Sequence, residues 1–298
     1  MKYSYEHNAM ATQFTLVVAN ETEEYAINAS RQVFDLIDRL EHQLSRFIPD
    51  GDIARINRMK ENEQMPLDFE TWELLKMAID VTLNTGGAFD IGIAKHMEIF
   101  RATKSGILNE FEMTTALEQV QKEKAASSVY IDPDKPMAYC LQPGVQFDLG
   151  GIGKGYALDK AKGLLDELGI HNFSISASDS TVLLNNQPEV VSHWDYTIAN
   201  SKDKMDLELS NVAVSASGTS FQGNHIFDPR TGLNELTSNH KRLWVAAETA
   251  VHSDAYATAF FILNEAEMEE IIKSSDKIIW VAYTKDGNLK LLTKNNLS

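Results

Sequence analysis

The amino-acid sequence predicts an α+β fold of mixed, mostly antiparallel sheets flanked by helices. Helical and strand-like segments are mixed along the chain, but they do not alternate as regular strand–helix–strand units. Several strand-like segments follow one another across short turns, which is typical of antiparallel pairing. No internal repeat or low-complexity linker divides the 298 residues, so we expect a single domain over residues 1–298, with room for two lobes.

Apolar residues at spacings of three and four predict the helices. We expect helices near residues 21–46, 69–83 and 109–124, another that follows the glycines at 150–155 and ends at Gly169, and a last one starting near Asp254. Short apolar or β-branched runs predict strands at residues 14–18, 129–132, 137–141, 145–148, 173–176, 182–184, 196–199, 212–215, 244–247, 278–284 and 289–292.

Charge and composition exclude several classes of partner. Lys and Arg number 27 against 43 Asp and Glu, and this net charge of −16 argues against nucleic acid and against anionic membrane surfaces. No apolar run approaches the roughly 18 residues that span a bilayer, so we expect no direct membrane insertion. The first residues contain no signal peptide and no lipobox cysteine, which favours a cytoplasmic protein, or a cell-envelope or periplasmic one if a lipoprotein leader was removed.

Residues 147–161, FDLGGIGKGYALDKA, contain the most informative motif. A short apolar segment ending in Asp148 leads into a glycine-rich turn with Lys154, and a helix follows. The N–H groups of such a turn and the lysine suit an anion, although a tight strand-to-helix connection explains the glycines equally well. The motif is not a Walker loop, because Gly155 rather than Ser or Thr follows Lys154.

Two further segments combine turn residues with chemical groups. TGGAFDI, residues 85–91, has two interpretations. In the first, the glycines cap a helix and Phe89 packs inside the protein. In the second, Ala88, Phe89 and Asp90 offer a binding surface to a planar heterocycle. In HIFDPRTG, residues 225–232, His225 is either an idle loop residue or a base or phosphate contact. The second interpretation makes Arg230 a pairing partner.

Two more segments keep similar alternatives open. Asp254 and Thr258, in SDAYATAFFIL, are four residues apart and share one helix face. In one interpretation Asp254 is an N-cap and Thr258 is a packed side chain. In the other, both are oxygen ligands of Mg²⁺. Phe47, in LSRFIPDGDIARIN, closes the core or stacks on a ring. The chain lacks a His-x-x-x-His pair, a Gly-x-Ser-x-Gly elbow and a Cys–His pairing around its single Cys140, which argues against zinc proteases and common acyl hydrolases.

These segments, in this order, resemble the ApbE family of flavin transferases, the FAD:protein FMN transferases. The shared motifs run from Met10-Ala11-Thr12 through SRF with IPDGDIARIN, GGAFD, DLGGIGKGYALD and SASG with HIFDPRTG to DAYAT, which ends at Thr258. The resemblance implies an ApbE-like fold with two lobes around a flavin and Mg²⁺ site. It also implies the Mg²⁺-dependent transfer of FMN from FAD to a Thr or Ser hydroxyl of an acceptor flavoprotein subunit or domain, with release of AMP.

The resemblance also assigns roles to residues. It implies that FAD is bound by Met10, Phe47, Ala88, Phe89, Asp90, Asp148, Lys154 and Ile226. It implies that Mg²⁺ is held by the side chains of Asp254 and Thr258 and by backbone carbonyls at Gly151, Gly153 and Ala257. It places His225 and Asp254 in catalysis.

The sequence departs from the family pattern at three places. Residues 176–180 read SASDS where relatives have a Gly-Gly-Asp/Asn turn, residues 219–224 form a short TSFQGN segment, and Phe47 replaces a common tyrosine. The SASDS turn and the short loop keep open the alternative of a non-catalytic FAD-binding protein. A second alternative is an FAD pyrophosphatase, in which water replaces the acceptor hydroxyl and the products are FMN and AMP.

Overall fold

The computed structural model describes residues 1–200, 202–218, 227–232, 242–285 and 287–296. The chain divides into two compact units. The first comprises residues 1–41, 152–221 and 238–298 as far as they are described, and the second comprises residues 42–151 and 222–237 on the same terms. The single domain expected over residues 1–298 therefore stays a prediction.

Thirteen strands and eight α-helices are found in the described residues. The strands are β1 (Lys2–Ala9), β2 (Thr12–Ala19), β3 (Glu63–Pro66), β4 (Ser128–Ile131), β5 (Met137–Gln142), β6 (Phe173–Ala177), β7 (Thr181–Asn185), β8 (Trp194–Ala199), β9 (Lys204–Leu209), β10 (Val212–Gly218), β11 (Arg242–Ala247), β12 (Ile278–Lys285) and β13 (Asn288–Thr293). The helices are α1 (Glu23–Leu44), α2 (Asp52–Ile56), α3 (Phe69–Asn84), α4 (Ala94–Lys104), α5 (Glu110–Ala126), α6 (Gly153–Glu167), α7 (Ala250–Ile262) and α8 (Glu265–Ser274), with a 3₁₀ turn at Lys294–Asn296.

Sheets of eight, three and two strands organise the described chain. The eight-stranded sheet has the order β1-β2-β6-β7-β10-β11-β12-β13 and belongs to the first unit, as does the β8–β9 hairpin. The three-stranded sheet, β3-β5-β4, belongs to the second unit. Every strand pairing among the described residues is antiparallel, which confirms the predicted α+β class.

The core of the first unit lies against the eight-stranded sheet. Side chains alternate along β2, so that Phe14, Leu16 and Val18 are buried on one face, while Ala19 joins a cluster around Trp244 on the other. The helices α6 and α7 pack on this sheet. All residues of α7 except His252 and Thr258 are buried, which explains why its sequence is apolar on every side.

The core of the second unit includes a small aromatic cluster. Phe100 of α4, Leu117 of α5 and Phe227 form it, with α4 packed on α5. The ring of Phe227 also stacks on the buried imidazole of His96, with 5.1 Å between the ring centroids.

Two sequence predictions about elements were wrong. Residues 145–148 form no strand, because Phe147 exchanges hydrogen bonds with the Asn57 side chain and Asp148 N–H donates to the Ile91 carbonyl at 2.8 Å. The last apolar helix begins at Ala250 rather than near Asp254. The helix α3 was predicted close to its observed bounds, although Leu83 near its end is 73% exposed.

Several elements were not predicted from the sequence. They are β1, β3, β9, α2, α4 and α8. None of the helices in the described ranges is long and apolar enough to cross a bilayer.

Candidate functional site

The helix α6 begins immediately after the glycine-rich turn, and a residue of α7 caps it. Its N-cap residue, Ile152, offers no side-chain cap. The Gly155 N–H instead donates to Asp254 Oδ2 at 3.0 Å, so a carboxylate from α7 satisfies one of the N–H groups that a helix start leaves open. A hydrogen bond therefore connects the glycine-rich motif of residues 147–161, which suggested an anion site, to Asp254 of the DAYAT motif.

Close packing explains the glycine at position 155. A Cβ atom there would lie 2.2 Å from the Ala250 carbonyl oxygen and 2.9 Å from Asp254 Cβ. None of the glycines at positions 150, 151, 153 and 155 has a positive φ, so left-handed backbone is not the reason for this glycine run. Glycine is required at position 155 because the backbone of α7 lies too close for a side chain there.

Asp254 lies inside α7 and is 6% exposed, so its interpretation as an N-cap was wrong. Its Oδ2 is 3.8 Å from Lys154 Nζ. One turn later, Thr258 is partly exposed, and its hydroxyl donates to the Asp254 carbonyl at 3.2 Å. A carboxylate and a hydroxyl on one helix face are oxygen donors of the kind that Mg²⁺ takes, so the residues present fit this ion.

The other residues that the resemblance assigns to the metal lie on the same two helices or just before them. Gly153 is the first residue of α6, Gly151 precedes it by two positions, and Ala257 is buried in α7. No group of three or more His, Cys, Asp or Glu side chains suited to a metal occurs in the part of the chain that the structure describes. A metal here would depend on mixed carboxylate, hydroxyl and backbone oxygens.

Asp159 is a residue of α6 that the sequence reasoning missed. Its carboxylate oxygens accept the N–H groups of Ala250 and Val251, both at 2.8 Å. Burial raises the pKa of Asp159 to about 6, although the two backbone donors and the neighbouring lysines act in the opposite direction. Its place in the YALD part of the glycine motif was the available signal.

Met10 lies at the tip of the β1–β2 hairpin. Met10 and Ala11 have φ values of 50° and 56°, as the two central residues of a type I′ turn do. The hairpin is tied to the SASDS segment, because Thr12 Oγ1 donates to Ser178 Oγ at 2.8 Å. Ser178 itself has a φ of 47°, a left-handed conformation that glycine adopts more readily than serine.

In the second unit, the GGAFD segment has the geometry of a helix cap. Gly86 and Gly87 have positive φ, and the Gly87 N–H donates to the Thr82 carbonyl at 2.9 Å. Ala88 and Phe89 are buried, which supports the packing interpretation of their side chains.

The Asp90 carboxylate is already engaged within this unit. It pairs with Lys124 at 2.5 Å and accepts the Gly92 N–H at 2.6 Å. It can therefore present its oxygens to a ligand only in addition to these two contacts.

Phe47 follows the C-terminal end of α1, and its ring is open to solvent. It is 67% exposed, so the interpretation as core closure was wrong and the stacking interpretation is the one that its exposure supports. The Arg46 guanidinium lies 4.3 Å from the ring centroid and also donates to Asp148 Oδ2 at 2.8 Å. The other oxygen of Asp148 accepts the Gly150 N–H at 2.9 Å.

Arg46 was not singled out from the sequence, yet it joins two predicted FAD residues. It pairs with Asp148 and with Glu98, and its own side chain is 7% exposed. Its Nη2 is buried and has no hydrogen-bond partner among the described residues. The Asp148 carboxylate thus accepts hydrogen bonds from the Arg46 side chain and from the Gly150 N–H in the glycine turn.

A cavity of about 200 Å³ lies between α3 and β4. Its lining includes Ile79 and Leu83 of α3, together with Asp90, Ile91 and Phe147. It therefore borders two segments that the resemblance assigns to FAD, and its walls are mainly apolar.

The DPRTG turn is held by its own aspartate. Asp228 is 2% exposed, its carboxylate pairs with Arg230 at 2.7 Å, and its carbonyl accepts the Gly232 N–H at 2.8 Å. Arg230 thus pairs with Asp228. His225 and Ile226 lie outside the described residues, so their predicted roles stay predictions.

The structure thus brings the predicted residues together in two groups. In the first unit, α6 and α7 gather Lys154, Asp254 and Thr258. In the second unit, Arg46 joins Phe47 to Asp148. Met10 belongs to the first unit and the Ala88–Asp90 segment to the second.

Known proteins resemble this chain over nearly all of its length. The sequence profile of the ApbE family matches residues 10–281. An FAD:protein FMN transferase of Buchnera aphidicola subsp. Schizaphis graminum is 24% identical over 267 residues, which cover 85% of this chain and 77% of that protein. An FAD:protein FMN transferase of Chlamydia muridarum is 26% identical over 286 residues, which cover 91% of this chain and 87% of that one.

Solved structures agree on the fold. The flavin transferase ApbE from Vibrio cholerae matches with a TM-score of 0.81 at 16% identity, covering 100% of this chain and 98% of that chain. The protein therefore has the α+β fold of the flavin transferases. The chain belongs to the ApbE family, as its motifs predicted.

Proposed function

We propose that this protein transfers FMN from FAD to a Thr or Ser hydroxyl of an acceptor protein and releases AMP, in a Mg²⁺-dependent reaction. Family membership and the names of the curated relatives support FAD as the substrate and a protein as the acceptor. The observation that carries the proposal is the joining of Lys154, Gly155, Asp254 and Thr258 by α6 and α7. A lysine, a helix start and two oxygen ligands are the groups that a pyrophosphate and its ion require.

In this proposal Asp254 and Thr258 hold the ion, assisted by backbone oxygens at Gly151, Gly153 and Ala257. When bound, the ion supplies positive charge to the pyrophosphate during the attack of the hydroxyl. Lys154 adds a charge from the start of α6. The hydrogen bond from Gly155 fixes one Asp254 oxygen and leaves lone pairs of the carboxylate for the ion.

In this proposal the flavin half of FAD contacts the residues that the family resemblance assigns to it. The exposed Phe47 ring stacks on a planar heterocycle, and Met10, Asp148 and Ile226 are further contacts. Ala88 and Phe89 act through their backbone, because their side chains are buried. Asp90 lines the mainly apolar cavity and is assigned to FAD binding on that side.

The acceptor hydroxyl must lose its proton as its oxygen attacks phosphorus. His225 or the carboxylate of Asp254 takes that proton, and both are assigned to catalysis in this proposal. The bond between the two phosphates of FAD then breaks. AMP leaves with the electron pair of that bond, and FMN remains esterified to the acceptor.

The test is a set of reactions with FAD, with and without Mg²⁺, and with and without candidate acceptor proteins that carry a Thr or Ser target. Mass spectrometry is expected to show an acceptor heavier by one FMN unit only when Mg²⁺ is present, with one AMP released per adduct. Asp254→Asn is expected to lower the rate by at least about a hundredfold. Asp276→Asn, at an 83% exposed side chain, is the matched control and is expected to keep the wild-type rate.

The same reactions separate the two alternatives. AMP and free FMN formed at full rate without an acceptor would identify a pyrophosphatase. Tight binding of FAD with no turnover, unchanged by Asp254→Asn, would identify a flavin-binding protein that performs no transfer.

A further inference from the structure

The helices α6 and α7 cap each other. Asp254 of α7 accepts the Gly155 N–H at the start of α6, and Asp159 of α6 accepts the N–H groups of Ala250 and Val251 at the start of α7. The later α6 residue meets the earlier α7 residue, so the two helices run antiparallel at this contact. A carboxylate from the other helix thus accepts one N–H group at the start of α6 and two at the start of α7, and Asp254 is one of these two carboxylates.

The start of α7 depends on Asp159 because its own N-cap residue does not serve it. Thr249 makes no side-chain cap, and its hydroxyl is 2.6 Å from His252 Nδ1 instead. The following helix, α8, shows the ordinary arrangement, in which Asn264 and Glu267 form a capping box. A partly buried carboxylate from another helix, bonded to two successive N–H groups, therefore replaces the local cap at α7.

This arrangement fixes the position of Asp254. Asp254 is the fifth residue of α7, about 6 Å along the helix from the N–H groups that Asp159 holds. The contact has little slack, since the Ala250 carbonyl leaves no room for a Cβ on Gly155. A displacement of the backbone at the start of α7 would therefore also displace the Asp254 carboxylate.

We propose that Asp159 is a positioning residue for the metal-binding carboxylate of Asp254. The proposal rests on the proposed function, because that function assigns the Mg²⁺ to Asp254. Asp159 itself does not contact the ion. It holds the helix that presents the ligand, as partners behind metal ligands commonly do.

The experiment measures metal binding directly, with Mn²⁺ as a paramagnetic substitute for Mg²⁺ and titration followed by electron paramagnetic resonance. Asp159→Asn keeps the side-chain size but loses one acceptor oxygen and turns an NH₂ group toward a backbone N–H. We expect Mn²⁺ affinity to fall by at least about tenfold. Asp159→Glu keeps both acceptor oxygens on a longer side chain, and we expect an affinity between those of the wild type and Asp159→Asn.

Asn264→Ala is the matched control for helix capping. It removes the cap of α8 in the same unit and costs about 1 kcal/mol of stability, yet it is expected to leave Mn²⁺ affinity unchanged. A wild-type affinity in both Asp159 variants would overturn the positioning role while leaving the proposed function intact. Failure of the wild type to bind Mn²⁺, or unchanged binding in Asp254→Asn, would overturn the metal site and this inference together.

Discussion

Phe47 shows what a single side chain can reveal about the site. A phenyl ring that is 67% exposed contributes little to the core, and the Arg46 guanidinium lies 4.3 Å from its centroid within the same unit. Such a ring offers a flat apolar surface to a ligand. Its exposure therefore favours a role in binding over a role in folding.

Replacing Phe47 is expected to separate binding from stability. Phe47→Ala should weaken FAD binding by about tenfold, because stacking on an aromatic ring is worth roughly 1–3 kcal/mol. Phe47→Tyr should bind FAD like the wild type, since the ring is kept. Titration followed by flavin fluorescence measures the affinity, and urea denaturation should show little change in the free energy of unfolding for either variant. Equal FAD affinity in all three proteins would exclude stacking by this residue.

The sequence predicted which residues belong to the candidate site better than it predicted the contacts that hold those residues in place. Phe47, Asp148 and Asp254 could be selected from their motifs. Arg46 lies in the SRF motif, but the contacts by which it links Phe47 to Asp148 could not be predicted. The reason is that an ion pair between residues 102 positions apart leaves no periodic signal in the sequence. For the same reason the role of Asp159, 91 positions from Ala250, emerged only from the structure.

At the scale of elements, the packing of α6 on α7 depends on one missing side chain. Gly155→Ala would place a Cβ 2.2 Å from the Ala250 carbonyl oxygen, so the helices would have to separate. We expect a loss of about 3 kcal/mol or more in the free energy of unfolding, at the upper end of overpacking effects. Urea denaturation followed by circular dichroism measures it.

Gly163→Ala is the control within the same helix. Gly163 is exposed on α6 and has no atom within 4 Å of an added Cβ, so this change should stabilise the protein by about 0.5–1 kcal/mol through helix propensity alone. If the two variants had similar stability, the close approach of α7 would not be what requires glycine at position 155.

Sequence periodicity predicted most elements, and its failures have physical causes. The helices α1, α3 and α5 and most strands were predicted close to their observed bounds. The helices α1 and α3 each bury one face, whereas α5 buries only Leu117. Residues 145–148 contain two apolar side chains, but Asn57 and Ile91 take the backbone hydrogen bonds of Phe147 and Asp148, so no strand forms. The start of α7 was misplaced because the cap comes from Asp159, outside the segment.

At the scale of the whole molecule, the net charge of −16 opposes the binding of an anion. FAD has a negatively charged pyrophosphate, so the proposed site needs local positive charge from Lys154 and from the ion. The negative charge of the whole protein therefore weakens FAD binding, while the local positive charge of the proposed site strengthens it. Ionic strength distinguishes them, because salt screens the long-range repulsion at distances beyond the Debye length.

We expect FAD binding without Mg²⁺ to become several-fold tighter as NaCl rises from about 10 to about 100 mM, since the Debye length falls from roughly 30 to 10 Å. With saturating Mg²⁺ the trend should flatten or reverse, because salt then also weakens the attraction between the ion and the pyrophosphate. Riboflavin, an uncharged flavin, should bind with an affinity independent of salt. Fluorescence titration measures all three dependences. FAD affinity that falls with salt in the absence of Mg²⁺ would mean that the binding site is locally positive without the ion.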